Sequence, residues 1–242
     1  MNKSEIVTEL RKAKKCRDRF DDEAISILHQ ITNKYPQDNY FYLLASTYLE
    51  AGSIDTALEY ADKTLKINDK NKEAYELKGI IFEEQKKIEE AEKMYLKALD
   101  IDFYEPRNRL VELYLEQKRY DDVIRQCEFV LSYKEFDFST QKKLIESTAW
   151  EAFVLRLSMA YIKTEQYNDA IRSILKYKEL ETQAGVFDKY GLFDSDVDLY
   201  KLYLLTNNVE GITGYRDLLL NHYEISEDDL KIIEKEASKK KI

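Results

Sequence analysis

The chain is poor in the residues that break helices: six glycines and two prolines in 242 positions. An all-β fold needs turn residues at short, regular intervals. Their scarcity excludes that architecture and leaves helices joined by short polar connections. Cysteine is equally rare, and Cys16 and Cys127 lie too far apart to suggest a disulfide framework or a zinc spacing. With only His29 and His222 besides, no metal or haem site, and no cofactor, is expected. A basic excess is also missing. The 38 Lys and Arg face 47 Asp and Glu, for a net charge of −9. Proteins that live on phosphate contacts are normally basic, so nucleic acid is not the expected partner, and a basic one is. No apolar run approaches the ~20 residues of a membrane span. The cations near the N-terminus (Lys3, Arg11, Lys12, Lys14, Lys15) surround no apolar signal core, so a cytoplasmic protein without membrane insertion is expected.

What is present is periodicity. Phe41, Leu44, Ala45 and Tyr48 are followed by Gly52, then Ala57, Ala61 and Thr64. The pattern returns 34 residues on as Tyr75, Lys78, Gly79 and Phe82, then Ala91, Tyr95 and Ala98. Before this block, Ala24, Leu28, Ile31 and Pro36 keep the spacing. After it come Leu110, Val111, Tyr114, Tyr120, Val123, Cys127 and Val130, then Val154, Leu157, Ser158, Tyr161, Tyr167, Ala170, Ile174 and Tyr177. A last copy reads Leu199, Tyr200, Tyr203, Val209, Ile212 and Leu219, with Asp196 and Arg216 at normally apolar positions. The first copy has Thr8, Arg11 and Lys15 where large apolar residues belong. Small residues let two helices approach closely, and large ones fill the space between neighbouring pairs. One pair cannot bury its own apolar face; a stack can.

This pattern and its period resemble the tetratricopeptide repeat (TPR), two antiparallel helices per unit. The resemblance implies an all-α, right-handed superhelical solenoid of about five to six units. The repeats fall near 5–37, 38–71, 72–103, 104–134, 151–181 and 193–223, in a solenoid of 1–225. Residues 226–242 then form a C-terminal capping helix and basic tail. Ser226 and Asp229 open that helix like a capping box, ahead of Leu230, Ile232 and Ile233. The grid is interrupted twice. Ser139 or Thr140 is expected to cap a longer first helix running through Leu144, Trp150, Val154 and Leu157. Thr182 to Asp196, with Gly185 and Gly191, reads as an aromatic loop, a structured insertion that packs on the solenoid or else contacts a partner.

In this family the first helix of each unit lines the concave face. By position, that implies a partner-binding set of Tyr42 and Ser46, then Glu73, Glu76 and Glu83, then Asn108 and Glu112, then Leu155 and Met159. Carboxylates on adjacent helices repel unless a cation joins them. An acidic stretch with an apolar one fits a basic or amphipathic peptide. Tyr40, Tyr42, Tyr60 and Tyr133 stand off the core positions and are further candidates for contacts. Some family members hold the C-terminal carboxylate of heat-shock chaperones with Lys, Asn and Arg on successive first helices. Here those positions carry Glu9 and Ala13, Tyr42 and Ser46, then Glu73 and Leu77, and one repeat later the frame ends in Glu105 and Arg109. That clamp is missing in both frames.

The resemblance therefore implies a protein-interaction module: an adaptor, scaffold or assembly factor. A peptide-sensing regulator or a specialised client chaperone is the alternative on the same fold. No phosphate-binding glycine loop, Ser-His-Asp set or nucleophile elbow is present, so an enzyme is not expected.

Overall fold

The structure is a computed structural model and describes residues 3–17, 23–102, 105–132, 149–184 and 191–239. These residues form thirteen α-helices and no strand. The chain divides into two compact units, Met1–Leu113 and Tyr114–Ile242. The first holds α1 (Lys3–Arg17), α2 (Glu23–Lys34), α3 (Asp38–Glu50), α4 (Ile54–Ile67), α5 (Lys72–Glu84), α6 (Ile88–Leu99) and most of α7 (Glu105–Glu116). The second holds the end of α7, then α8 (Tyr120–Ser132), α9 (Ala149–Lys163), α10 (Tyr167–Ala184), α11 (Gly191–Thr206), α12 (Val209–Asn221) and α13 (Glu227–Lys239).

The same turn joins the two helices of a pair five times. Gly52, Lys86, Lys118, Glu165 and Asn207 have left-handed backbones, with φ of 75°, 59°, 57°, 61° and 52°. The next residue donates its N–H five residues back. Ser53, Lys87, Arg119 and Gln166 reach the carbonyls of Tyr48, Phe82, Tyr114 and Tyr161 at 2.8 Å, and Asn208 reaches that of Tyr203 at 3.1 Å. This closure occupies a carbonyl that the helix end would otherwise leave open. The acceptor is each time the large aromatic residue of the repeat grid. Successive left-handed residues lie 34, 32, 47 and 42 positions apart (52 to 86 to 118 to 165 to 207), so the turn persists where the period does not.

In the first unit α3 packs on α4 and α5 on α6, with α2 on α3 and α4 on α5 joining the pairs. Ala45, Ala57, Ala61, Leu77 and Ile81 form one core cluster, and Ala13, Ile27, Leu28, Ile31 and Leu44 another. The weak first helix folds because Leu10 and Ala13 face that second cluster while Thr8 and Arg11 stay exposed. Polar ties recur at a spacing of 30. Asp38 accepts from Asn68 Nδ2 at 2.7 Å, and Lys72 pairs with Asp102 at 2.6 Å. Asn71 also donates to Asp38 at 3.2 Å, while its Oδ1 accepts the Ala74 N–H at 2.9 Å as the cap of α5.

In the second unit α9 packs on α8 and α10, and α11 on α10 and α12. α13 packs on α11, with Leu230 and Ile233 against Tyr200 and Leu219, which is the capping role expected of it. Its Ser226 accepts the Asp229 N–H at 3.1 Å. The off-grid Asp196 is 2% exposed and is held by Lys178 and by the Tyr223 hydroxyl at 2.9 Å, so its buried charge is compensated. The expected loop from Thr182 to Asp196 is a correction. Thr182–Ala184 ends α10 and Gly191–Asp196 opens α11. Gly191 read as a breaker, but at a helix start its freedom is little hindrance. Residues 185–190, and the expected cap at Ser139 or Thr140 with Leu144, lie outside the described residues.

Gly79 on α5 is a close-approach position. A Cβ built there falls 2.4 Å from Cε1 of Tyr95, which is fully buried on α6. Gly79→Ala is expected to lower the unfolding free energy by about 1–3 kcal/mol, because the Tyr95 ring must shift within a filled core. Gly214, with nothing near its Cβ position, is the control: Gly214→Ala on α12 should be neutral or stabilising in the same denaturant titration.

Candidate functional site

The first-helix residues singled out by the sequence fall into two sets, one in each unit. In the first unit Glu73, Glu76 and Glu83 stand along one stripe of α5, with Ile80 between them. All three carboxylate side chains are half-buried, as are Asn108 and Glu112 on α7 and Tyr42 on α3. Ser46 is only 9% exposed, and its hydroxyl donates to the Leu43 carbonyl of its own helix at 3.1 Å. It has little left to offer a partner. Tyr42 packs partly against the Ala45 and Leu77 cluster.

Glu83 has an internal task. The Tyr95 hydroxyl donates to it from α6. Burial pushes the Tyr95 pKa well above the ordinary tyrosine value, and the hydrogen bond and charge of Glu83 push it further. Glu76 acts in the same direction and Arg109 of α7 against it, so α5 and α7 set the potential at one hydroxyl together. Arg109 also lies 3.7 Å from Glu112. The cation that joins these carboxylates is thus partly internal.

In the second unit Leu155 and Met159, one turn apart on α9, are 44% and 39% exposed. Ile162, on the next turn, is half-buried. It lines a recess of about 80 Å³ with Leu202 and Leu205 of α11 and Ala237 of α13. Lys201 and Glu236 close its edge through an ion pair of 3.0 Å.

Of the other tyrosines expected to make contacts, Tyr60 is engaged internally. It stacks on Tyr48 at 5.5 Å, His29 meets it edge-on at 5.6 Å, and Lys63 lies 4.2 Å over its ring. Tyr40 packs on the core cluster of Ala13, Ile27, Leu28, Ile31 and Leu44, and Tyr133 lies outside the described residues. The sequence missed where grid tyrosines send their hydroxyls. Tyr161 donates to Glu128, and Tyr200 donates to Glu234 at 2.7 Å. Glu128 precedes Tyr161 by 33 residues and Glu234 follows Tyr200 by 34, about one repeat in each case. That spacing was a usable signal. Among the described residues no cluster of His, Cys, Asp and Glu could hold a metal ion, and no helix is long and apolar enough to cross a membrane.

Residues 11–149, more than half of the chain, match the family described as tetratricopeptide repeat protein 21 C-terminal ARM domain. The chain belongs to this family. It is a TPR-type helical-repeat protein, and solved structures agree. A MamA structure superposes with a TM-score of 0.55 at 18% identity, over 76% of this chain and 95% of that one. YrrB, described as a TPR protein with an unusual peptide-binding site, gives 0.54 at 14% identity, over 88% and 97%. BtubC from P. vanneervenii gives 0.53 at 19% identity, over 73% and 79%. At these identities the likeness shows the fold. None of the curated proteins compared matches the sequence.

The Tyr95–Glu83 contact predicts a pH dependence. A pKa raised in the folded state means that folding favours the protonated hydroxyl. Its stabilisation is complete below the unfolded tyrosine value of about 10 and is lost as pH rises above it. Tyr95→Phe should cost about 1 kcal/mol at pH 7 and reduce the loss of stability between pH 9 and 11. Urea titrations at both ends of that range check it, and an unchanged alkaline slope would count against the contact.

Proposed function

We propose that this chain is a protein-interaction module, an adaptor, scaffold or assembly factor, that takes a basic or amphipathic peptide on its first-helix faces. The observation that carries the reading is the carboxylate set of the first unit: Glu73 and Glu76 on one stripe of α5, with Glu112 on α7. Lys and Arg side chains of a partner meet these carboxylates, while Glu83 stays with Tyr95. In the second unit the exposed Leu155 and Met159 offer an apolar surface of their own for the apolar side chains of such a peptide. Glu83 is left out of the contacting carboxylates because it already holds the Tyr95 hydroxyl. The peptide-binding site named for YrrB, on the same fold, supports a peptide as ligand. The partner sought is a protein segment, with neither nucleic acid nor a cofactor required, and the chain acts by holding it.

Fluorescence anisotropy with a labelled Lys/Leu amphipathic peptide tests this. Wild type should bind saturably, and more weakly at 0.3 M than at 0.05 M salt, because exposed charges are screened within about 10 Å at 0.1 M. Glu73→Lys/Glu76→Lys/Glu112→Lys should weaken binding at least ~10-fold, or ~1.4 kcal/mol. Glu89→Lys/Glu90→Lys, at exposed positions of α6, controls for overall charge and should have a small effect. Equal losses in the two variants would reduce the carboxylate set to ordinary surface charge.

A further inference from the structure

The second unit carries a groove of about 500 Å³ on the side of its second helices. α8 and α10 form its walls and α9 its floor. That volume lies in the range of small-ligand and peptide side-chain sites. The floor is built from the repeat-grid residues Val154, Leu157 and Tyr161 of α9, and not from Leu155 and Met159. Leu131 of α8, Val154 and Leu157 of α9 and Tyr177 of α10 make the surface apolar. Ser132 and Ser173, small residues on opposite walls, leave the space unfilled. Both hydroxyls turn back to carbonyls of their own helices, Ser132 to Phe129 at 3.2 Å and Ser173 to Ala170 at 2.8 Å.

The charges around the groove are not equally available. Glu128 accepts the Tyr161 hydroxyl, and Asp169 is paired with Arg172. Lys176 is exposed and has no ion-pair partner among the described residues. Arg172 keeps 76% of its side chain exposed despite its pairing. A hydrogen bond from a neutral hydroxyl cancels no charge, so the two acids and two bases of the groove balance, and the selective feature is their arrangement. That arrangement is directional. Asp169 and Glu128 stand near Tyr161 at one end, and Lys176 lies two turns along α10 with Tyr177 at the other. The wall from Asp169 to Tyr177 is about 12 Å long, the span of three to four extended residues.

We propose that the groove between α8 and α10 binds a short acidic peptide segment carrying a large apolar side chain. The apolar side chain lies on Leu131, Val154 and Leu157, where burial supplies the affinity. The carboxylates following it meet Lys176 and the exposed face of Arg172, which sets the direction of the segment and excludes a basic one. This site uses none of the residues of the first-helix binding set and favours a segment of the opposite charge. It stands whether or not that set binds a basic peptide.

The test uses the full chain and three end-blocked, fluorescein-labelled tetrapeptides: Phe-Leu-Asp-Asp, Phe-Leu-Lys-Lys and Ser-Ser-Asp-Asp. Anisotropy should show saturable binding of the first, at least ~10-fold tighter than that of the other two. Lys176→Glu, an exposed change that leaves the core alone, should weaken the first peptide about 10-fold. Ser173→Phe fills the groove and should abolish its binding, with helicity and melting recorded for both variants. The Glu73→Lys/Glu76→Lys/Glu112→Lys protein should bind it at least as well as wild type. The proposal is overturned if Phe-Leu-Asp-Asp does not saturate, if Ser-Ser-Asp-Asp binds equally, or if Lys176→Glu binds as wild type does.

Discussion

Between the two helices of a repeat the chain must reverse direction within three residues. It does so through one left-handed residue and one hydrogen bond from the next N–H to an aromatic residue's carbonyl five positions back. Only Gly52 of the five adopts that backbone without steric cost; at Lys86, Lys118 and Glu165 the cost is of order 1–2 kcal/mol each. What offsets it is what the turn makes possible. The donor residue also begins the second helix, and its carbonyl accepts the N–H of Ala57, Ala91, Val123, Ala170 or Ile212. The first four of these are fully buried. The turn thereby sets the aromatic residue of one helix and the small or branched residue of the next at a constant offset. Gly79 against Tyr95, and Gly211 against Tyr203, show how closely the paired helices approach.

Close packing of tyrosine-rich helices creates a second requirement. A buried hydroxyl needs an acceptor. Tyr95 finds Glu83, Tyr161 finds Glu128, Tyr200 finds Glu234 and Tyr223 finds Asp196. Carboxylates that look like surface charge in the sequence are therefore divided between two roles. Glu83 and Glu128 hold tyrosines, whereas Glu73, Glu76 and Glu112 are the first-helix carboxylates given the proposed peptide contact. The same division leaves Lys176 exposed beside a groove whose own acids are engaged.

The repeat was legible because its determinants are local: aromatic and small residues at fixed offsets within a pair of helices. Tyr48, Gly79 and Ala170 could be placed from spacing alone. Gly191 was misread because a glycine at a helix start and one in a loop look alike in a linear sequence. Tyr60 was misread because its neighbours come from two other helices, His29 from α2 and Phe41 and Tyr48 from α3. The groove over α9 was illegible for a related reason. Leu131, Val154 and Lys176 share no spacing, and only packing brings them together. Of the first-helix set, the α5 stripe could be read from helical periodicity, whereas the engagement of Glu83 and Ser46 could not.

The five turn amides test the central claim directly. If the left-handed turn is the constraint that orders each pair, then the N–H groups of Ser53, Lys87, Arg119, Gln166 and Asn208 are held by the carbonyl five residues back although they lie at helix ends. Native-state hydrogen exchange should find them protected to the level of the neighbouring helix interiors. Exchange at the rate of an open peptide at Arg119, Gln166 and Asn208, beside protected helices, would contradict the account and leave the pairs ordered by packing alone.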